Sequence, residues 1–415
     1  MAMWSALLHP LLIAAALLYA PGGLIAIAAR LPVRVVVALA PALSVAVIAG
    51  TGLLAPRLGL AWGVSVVAGA TAIIVLAAGQ GTRMKSRLPK VVHPVAGLSM
   101  IGHALRAAVG VDPDDVVAVV RHQRDVVAAE ILRVLPSAIV ADQDEVPGTG
   151  RAVQCGLAAL DGARGAVHGT VLVTYGDVPL LSSQTLARLV GAHEASGDAV
   201  TVLTSRVEDP TGYGRILRAP DGSVAAIVEQ RDATAEQALI TEINAGIYAF
   251  DADFLRGALA GLGTDNDQGE VYLTDALAAA ARSGRGAGAL ELDDVWQTAG
   301  ANDRAQLAEL GAEFNRRICA GHMRAGVTII DPASTWIGVD VVIGADTTIH
   351  PGTVLRGATN IASNCEIGPS ATLIDAEVGE RAVVPTAWVG GGAVAADTIV
   401  EPYSTIGTTI RAPRA

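Results

Sequence analysis

The sequence predicts an α/β fold with a mostly parallel sheet, followed by a parallel β-helix and preceded by transmembrane-like helices, from three changes of hydrophobic pattern along its 415 residues. Residues 1–71 are nearly free of charge. Residues 72–301 alternate short β-branched runs with amphipathic stretches. Beyond residue 336 one aliphatic residue recurs at every sixth position.

In the first region Trp4–Ala29 and Val35–Leu54 are apolar runs, separated by Arg30 and Arg34 and followed by Arg57. Each approaches the ~20 residues that a helix needs to cross a bilayer. A cleaved signal peptide fits poorly, because no basic stretch comes first and the hydrophobicity runs on too far. Membrane association through residues 1–71 is therefore expected. A third span over residues 60–78 would satisfy the positive-inside rule, but it would consume the first strand of the next region.

In the second region strands are expected at Ile73–Leu76, Val116–Val120, Ala138–Ala141, Val171–Thr174 and Val200–Thr204, with helices at Met100–Val109 and Ser183–Ala192 among them. Strands alternating with helices predict βαβ crossovers onto a mostly parallel sheet, with ligands expected at the carboxyl ends of the strands. A linking helix follows over 302–325, with Leu307, Leu310 and Phe314 on one stripe. In the third region, 326–410, Ile337, Ile343, Ile349, Leu355, Ile361, Ile367 and Leu373 keep a period of six. Neither an ordinary helix nor a hairpin sheet would keep that spacing, but a hexapeptide-repeat β-helix does, with each turn placing one aliphatic residue inside. After Leu373 the register slips, at Val378 and Val384.

The formal net charge of −11 argues against a nucleic-acid partner, which would demand a basic stripe. A bound phosphate must instead meet a few local cations. The three cysteines, Cys155, Cys319 and Cys365, follow no metal or disulfide spacing. Only two lysines occur, Lys85 and Lys90, and both lie in one segment.

That segment, Ile73–Lys90, reads IIVLAAGQGTRMKSRLPK. A strand empties into a turn whose glycines let backbone amides approach a triphosphate, with Arg83 and Lys90 as cations. It is neither a dinucleotide-binding GxGxxG nor a Walker loop. Taken whole, it resembles the LAAGxGTRM…PK signature of sugar-nucleotide pyrophosphorylases. Further matches follow in order: Gln143 with Pro147–Gly150, then Tyr175–Pro179, Gly212–Ile216, Ile227–Gln230, Glu242–Gly246 and Gln268–Asp275. With the hexapeptide repeats, the set resembles the bacterial bifunctional N-acetylglucosamine-1-phosphate uridyltransferases and glucosamine-1-phosphate acetyltransferases, over roughly residues 72–406.

The resemblance implies a Rossmann-like nucleotidyltransferase domain joined to a left-handed β-helix, and uridylyl transfer from UTP to N-acetylglucosamine 1-phosphate. It assigns Leu76, Ala77, Ala78 and Gly79 to the nucleotide, and Gln143, Gly148 and Thr149 to uracil. Tyr175, Gly176, Gly214, Glu229 and Asn244 fall to the sugar, Arg83 and Lys90 to catalysis, and Asp177 and Asn302 to Mg²⁺. An isolated Asp177 would read as a turn residue and Asn302 as a helix cap; the surrounding matches favour the metal.

The resemblance also places an arginine for the acetyltransferase substrate where this sequence has Gly407, and the later coils of that family are not in the sequence. A truncated β-helix without acetyltransferase activity is the expectation, with a homotrimer through the coil and a location at the cytoplasmic face of a membrane, or in the cytoplasm if residues 1–71 do not insert. Two alternatives stay open: a pyrophosphorylase for another sugar 1-phosphate, and a silent membrane-tethered scaffold.

Overall fold

The computed structural model describes residues 71–264, 266 and 268–407. The expected membrane spans lie outside the described residues, apart from position 71. Among the described residues no helix is long and apolar enough to cross a membrane. The alternative span over residues 60–78 does not hold, because residues 71–77 form a sheet strand whose partners lie far along the chain.

That strand, β1 (Thr71–Ala77), is buried along its whole length, as expected of a strand covered on both faces. It pairs in parallel with β2 (Asp115–Val120) on one side and with β4 (Thr170–Tyr175) on the other. Outside β2 lies β3 (Ile139–Asp142), also parallel. The sheet is mostly parallel, as expected, but beyond β4 one strand runs the other way. The next strand in space is β8 (Glu242–Asp251), antiparallel both to β4 and to its other neighbour β5 (Val200–Arg206). A parallel strand, β9 (Ala287–Glu291), closes that edge. The antiparallel hairpin β6 (Arg215–Arg218) and β7 (Val224–Val228) branches from β8.

Alternation along β1 divides the core in two. Ala72, Ile74 and Leu76 belong to a cluster with Val153, Leu157 and Leu160 of helix α3 (Thr149–Arg164). Ile73, Val75 and Ala77 join Ile101 and Leu105 of α1 (Met100–Val109), Ile131 of α2 (Arg124–Val134) and Leu186 and Leu189 of α4 (Ser183–Ser196). The period of two thus gives each face its own helical layer. Serines cap two of these helices: Ser99 accepts from the Gly102 amide, and Ser182 from that of Thr185. Helices α5 (Ala252–Gly261) and α6 (Asp275–Ser283) complete the first layer.

The linking helix α7 runs over Arg304–Arg324. Its cap is Asp303, which accepts from the Gln306 amide at 2.9 Å, so the capping role weighed for Asn302 belongs to its neighbour. The Leu307, Leu310 and Phe314 stripe packs with Val95, Met100 and Leu180. One turn further on, Ile318 and Cys319 turn to the coil core. Asn315 joins the two: its amide donates to the Thr335 carbonyl at 2.7 Å and accepts from the Ile337 amide at 2.9 Å.

The C-terminal region forms three parallel sheets of four, five and four strands, as a three-sided parallel β-helix does. All seven aliphatic residues of the six-residue period are buried. After a first pairing of Thr328 with Thr348, partners on successive coils sit 18 residues apart, as in Thr348 with Glu366. The register slip is a shortening of the coil: Asn360 pairs with Glu377 and Thr372 with Trp388. The residues are lost at corners, so Val378, Val384 and Val389 still point inward.

Candidate active site

A cleft of about 570 Å³ opens at the carboxyl ends of the central strands. Its lining includes Leu76, Ala77, Ala78, Gly79, Lys90, Gln143, Gly148, Thr149, Tyr175 and Asp177, all expected from the sequence. Such crevices outside strand ends are where open α/β sheets hold ligands.

The loop leaving β1 is kept tight by glycine. Gly81 has φ +62°, and a Cβ there would stand 2.5 Å from the Cβ of Lys90. The Lys90 stem therefore lies against a bare backbone. Arg304 of α7 holds the same loop from outside, donating from Nε to the Met84 carbonyl at 3.3 Å.

Lys90 spans two elements of the site. Its Nζ lies 2.5 Å from Oδ2 of Asp177, just past the end of β4, and 3.1 Å from Oδ1 of Asn302, just before α7. Asn302 and Asp177, 125 positions apart in sequence, thus face one cation. With Asp303 capping the helix, the Asn302 side chain is left to this task.

The opposite wall is the loop before α3. Gln143 is buried, and its Nε2 donates to the carbonyls of Val146 at 2.9 Å and Gly148 at 3.2 Å. Both partners are pure acceptors, which fixes the amide nitrogen toward the loop and leaves the Gln143 oxygen as the end that can accept from a ligand. Gly148 has φ +117° and lies against the Val271 backbone. Thr149 accepts from the Leu273 amide through Oγ1. Gly148 at the start of α3 has no side chain to cap the helix, and the Gly150 amide of its first turn donates to the Val271 carbonyl at 2.8 Å.

Tyr175 forms the floor between this cleft and a second cluster. Its ring stacks against the backbone of Gly246, where a Cβ would come within 2.5 Å of Cε2. Burial raises its hydroxyl pKa, with the nearby charges of Glu229 and Asp177 adding to the effect, so the group stays a donor. Gly176 donates its amide to Leu76 and has no room for a side chain beneath Ile101.

Gly214, Glu229 and Asn244 are not among the cleft-lining residues. They come together beyond Tyr175: a Cβ on Gly214 would lie 3.4 Å from Oε2 of Glu229 and 3.5 Å from Cβ of Asn244. Both ends of the Asn244 amide are engaged within the protein, with Tyr248 Oη at 2.7 Å and the Gly246 amide at 2.8 Å. Burial raises the Glu229 carboxyl, opposed by a hydrogen bond from Thr274. Arg83 stands apart, exposed in the turn Thr82–Met84 and outside the lining, with no ion pair or hydrogen bond among the described residues.

Sequence reasoning missed Arg121, His122 and Glu270, which also line the cleft. The signal was present for the first two, because they directly follow a predicted strand at its carboxyl end. Glu270 sits inside the matched segment Gln268–Asp275 but carried no role there.

Comparison with known proteins decides the family. The model of the MobA-like NTP transferase domain matches residues 73–245. The bifunctional protein GlmU of Pseudarthrobacter chlorophenolicus is 53% identical over 336 residues, covering 81% of this chain and 68% of that protein. The chain belongs to the GlmU family.

Two other GlmU proteins agree. That of Kineococcus radiotolerans is 54% identical, covering 80% of this chain and 67% of its own length, and that of Cutibacterium acnes is 50% identical, covering 81% and 80%. As a member of the GlmU family the chain is a nucleotidyltransferase, and the cleft at the strand ends lies largely within the stretch that the domain model matches.

Proposed function

We infer that the chain transfers the uridylyl group of UTP to N-acetylglucosamine 1-phosphate, giving UDP-N-acetylglucosamine and pyrophosphate. The observation that carries this reading is the meeting of Lys90, Asp177 and Asn302 beside the glycine-bearing exit of β1. Membership of the GlmU family supports it.

Leu76, Ala77, Ala78 and Gly79 hold the nucleotide along the strand exit, where the missing Cβ of Gly79 lets phosphate oxygens approach backbone amides. Uracil offers two carbonyl acceptors and one N–H donor. The Gln143 oxygen accepts that N–H, and backbone groups of Gly148 and Thr149 meet the carbonyls, so bases with another pattern leave buried groups unpaired. Tyr175, Gly176, Gly214, Glu229 and Asn244 frame the sugar.

The residues present fit a divalent metal. One carboxylate oxygen of Asp177 and one amide oxygen of Asn302 already converge on a cation, the Lys90 ammonium, and hard divalent ions prefer such oxygen donors. Mg²⁺ bound there would neutralise charge on the phosphates. The sugar phosphate attacks the α-phosphorus in line; the new P–O bond forms as the bond to pyrophosphate breaks. Lys90 and Arg83 offset the charge that builds on the leaving group, Arg83 by folding in from its exposed turn.

The same reading gives residues 1–71 the part of a membrane contact at the cytoplasmic face, and the coil faces that of a left-handed, trimer-forming surface. Pyrophosphate release by the full chain tests the reaction, with UTP and either N-acetylglucosamine 1-phosphate or glucose 1-phosphate, with and without Mg²⁺. Turnover with the first sugar and metal is expected. Preference for glucose 1-phosphate would overturn the assignment, and silence with both would favour a scaffold.

A further inference from the structure

We propose that Lys90 is an internal stand-in for the metal: in the ligand-free chain its ammonium occupies the cation position between Asp177 and Asn302, and an arriving divalent ion displaces it into the cleft. The inference rests on the reading that these two residues hold the metal.

The geometry leaves room for one cation between them. The ammonium nitrogen touches the Asp177 carboxylate at 2.5 Å and the Asn302 amide oxygen at 3.1 Å, the two oxygens that a divalent ion would take. A magnesium ion held by Asp177 and Asn302 would take these same two oxygens, at the point the ammonium now occupies. Two positive charges cannot share that point, so binding one expels the other. Lysine suits the exchange, because its charge rides on a flexible four-carbon stem, whereas a guanidinium would hold a carboxylate by a rigid fork. The stem is anchored against Gly81, and Lys90 itself lines the cleft, so the released ammonium swings to where a triphosphate would lie. Metal arrival and lysine delivery then become one event. Before metal arrives the carboxylate keeps a partner, which spares the site a half-buried, unpaired charge.

The chain supplies a direct probe, since Lys85 and Lys90 are its only lysines. In full-length protein labelled with ¹³C at the lysine ε-carbon, titration with Mg²⁺ is expected to move one of two side-chain resonances, with a midpoint matching metal occupancy. The assignment comes from Lys85→Arg, which keeps the moving resonance. In parallel, Mn²⁺ binding without nucleotide is measured by its paramagnetic signal. Lys90→Met is expected to bind Mn²⁺ about tenfold or more tightly than the wild type, because the competitor that holds most of the sites is gone. Equal Mn²⁺ affinity in wild type and Lys90→Met, or a Lys90 resonance unmoved at metal saturation, overturns the displacement. Asp177→Asn separates the two ideas. If it abolishes Mn²⁺ binding while Lys90→Met has no effect, the metal site stands and the displacement falls. If Mn²⁺ binds undiminished to Asp177→Asn, the metal assignment itself is wrong.

Discussion

The α-carbon of Gly148 lies flat against the backbone of Val271, with the Val271 nitrogen 2.5 Å from the point where a Cβ would be. Two hydrogen bonds hold the contact: the Val271 amide donates to Pro147 at 3.1 Å, and the Gly150 amide donates to Val271 at 2.8 Å. One wall of the cleft is therefore two stretches of main chain more than a hundred positions apart. At φ +117° the position also excludes ordinary side chains on conformational grounds.

Gly148→Ala should consequently cost more than the ~1–3 kcal/mol of a strained backbone alone, since a main-chain collision adds to it. We expect a lowered melting temperature and a KM for UTP raised by roughly tenfold, the uracil-side loop being forced open. Unchanged UTP affinity in steady-state kinetics would show that this loop does not meet the nucleotide.

Arg304→Ala removes the bond that ties α7 to the Met84 carbonyl. A single such hydrogen bond is worth about 0.5–1.5 kcal/mol, and more with a charged donor. Thermal stability should fall slightly, while kcat/KM falls several-fold because the loop carrying Arg83 loses its outer anchor. A variant with wild-type kinetics would show that the loop holds itself.

Glu229 sets a pH dependence. Burial raises its folded pKa above the ordinary 4.5, so ionisation is disfavoured in the folded state. The resulting destabilisation is absent below the unfolded value, grows as pH rises from about 4.5 to the folded value, and is complete above it. Glu229→Gln keeps an acceptor for Thr274 and loses the charge. It should melt higher than the wild type at pH 8, with the difference closing toward pH 4. A gap constant with pH would refute the raised pKa.

Asn315 acts as a piece of backbone between helix and coil. Asn315→Ala leaves the Thr335 carbonyl and the Ile337 amide without their buried partner, at about 1–3 kcal/mol for each group left unsatisfied. Asn315→Asp keeps the acceptor but sets a buried carboxylate oxygen against the Thr335 carbonyl, so it should be at least as destabilised as Asn315→Ala. Urea unfolding of the three proteins gives the ranking, and equal midpoints would rule out the strap.

Much of the framework was legible before any coordinates. Helix α1 begins at Met100 and ends at Val109, as its apolar spacing predicts. The six-residue period marked seven inward positions of the coil, from Ile337 to Leu373. The antiparallel β8 was not foreseen. Its segment Glu242–Asp251 is apolar along most of its length, and a fully buried strand has the same composition whichever way it runs. Its direction follows from the hairpin β6–β7 that precedes it.

The site was legible in part. The motif around Ile73–Lys90 names its own glycines and cations, and ten of the expected residues do line one cleft. The gathering of Gly214, Glu229 and Asn244, expected at the sugar, into a cluster outside the cleft lining was not visible, nor was the exposed position of Arg83. The role of Asp303 as cap became plain only from its bond to the Gln306 amide.

By itself the sequence determined what depends on near neighbours: strand and helix periods, the coil repeat, and where glycine is needed for the chain to turn. Tertiary structure alone decided that Lys90 stands between Asp177 and Asn302, the latter 212 positions away. Side-chain spacing along a chain carries no information on such a meeting. It is set by the order of strands in the sheet and by the docking of α7, both of which arise from burying apolar faces distant in sequence.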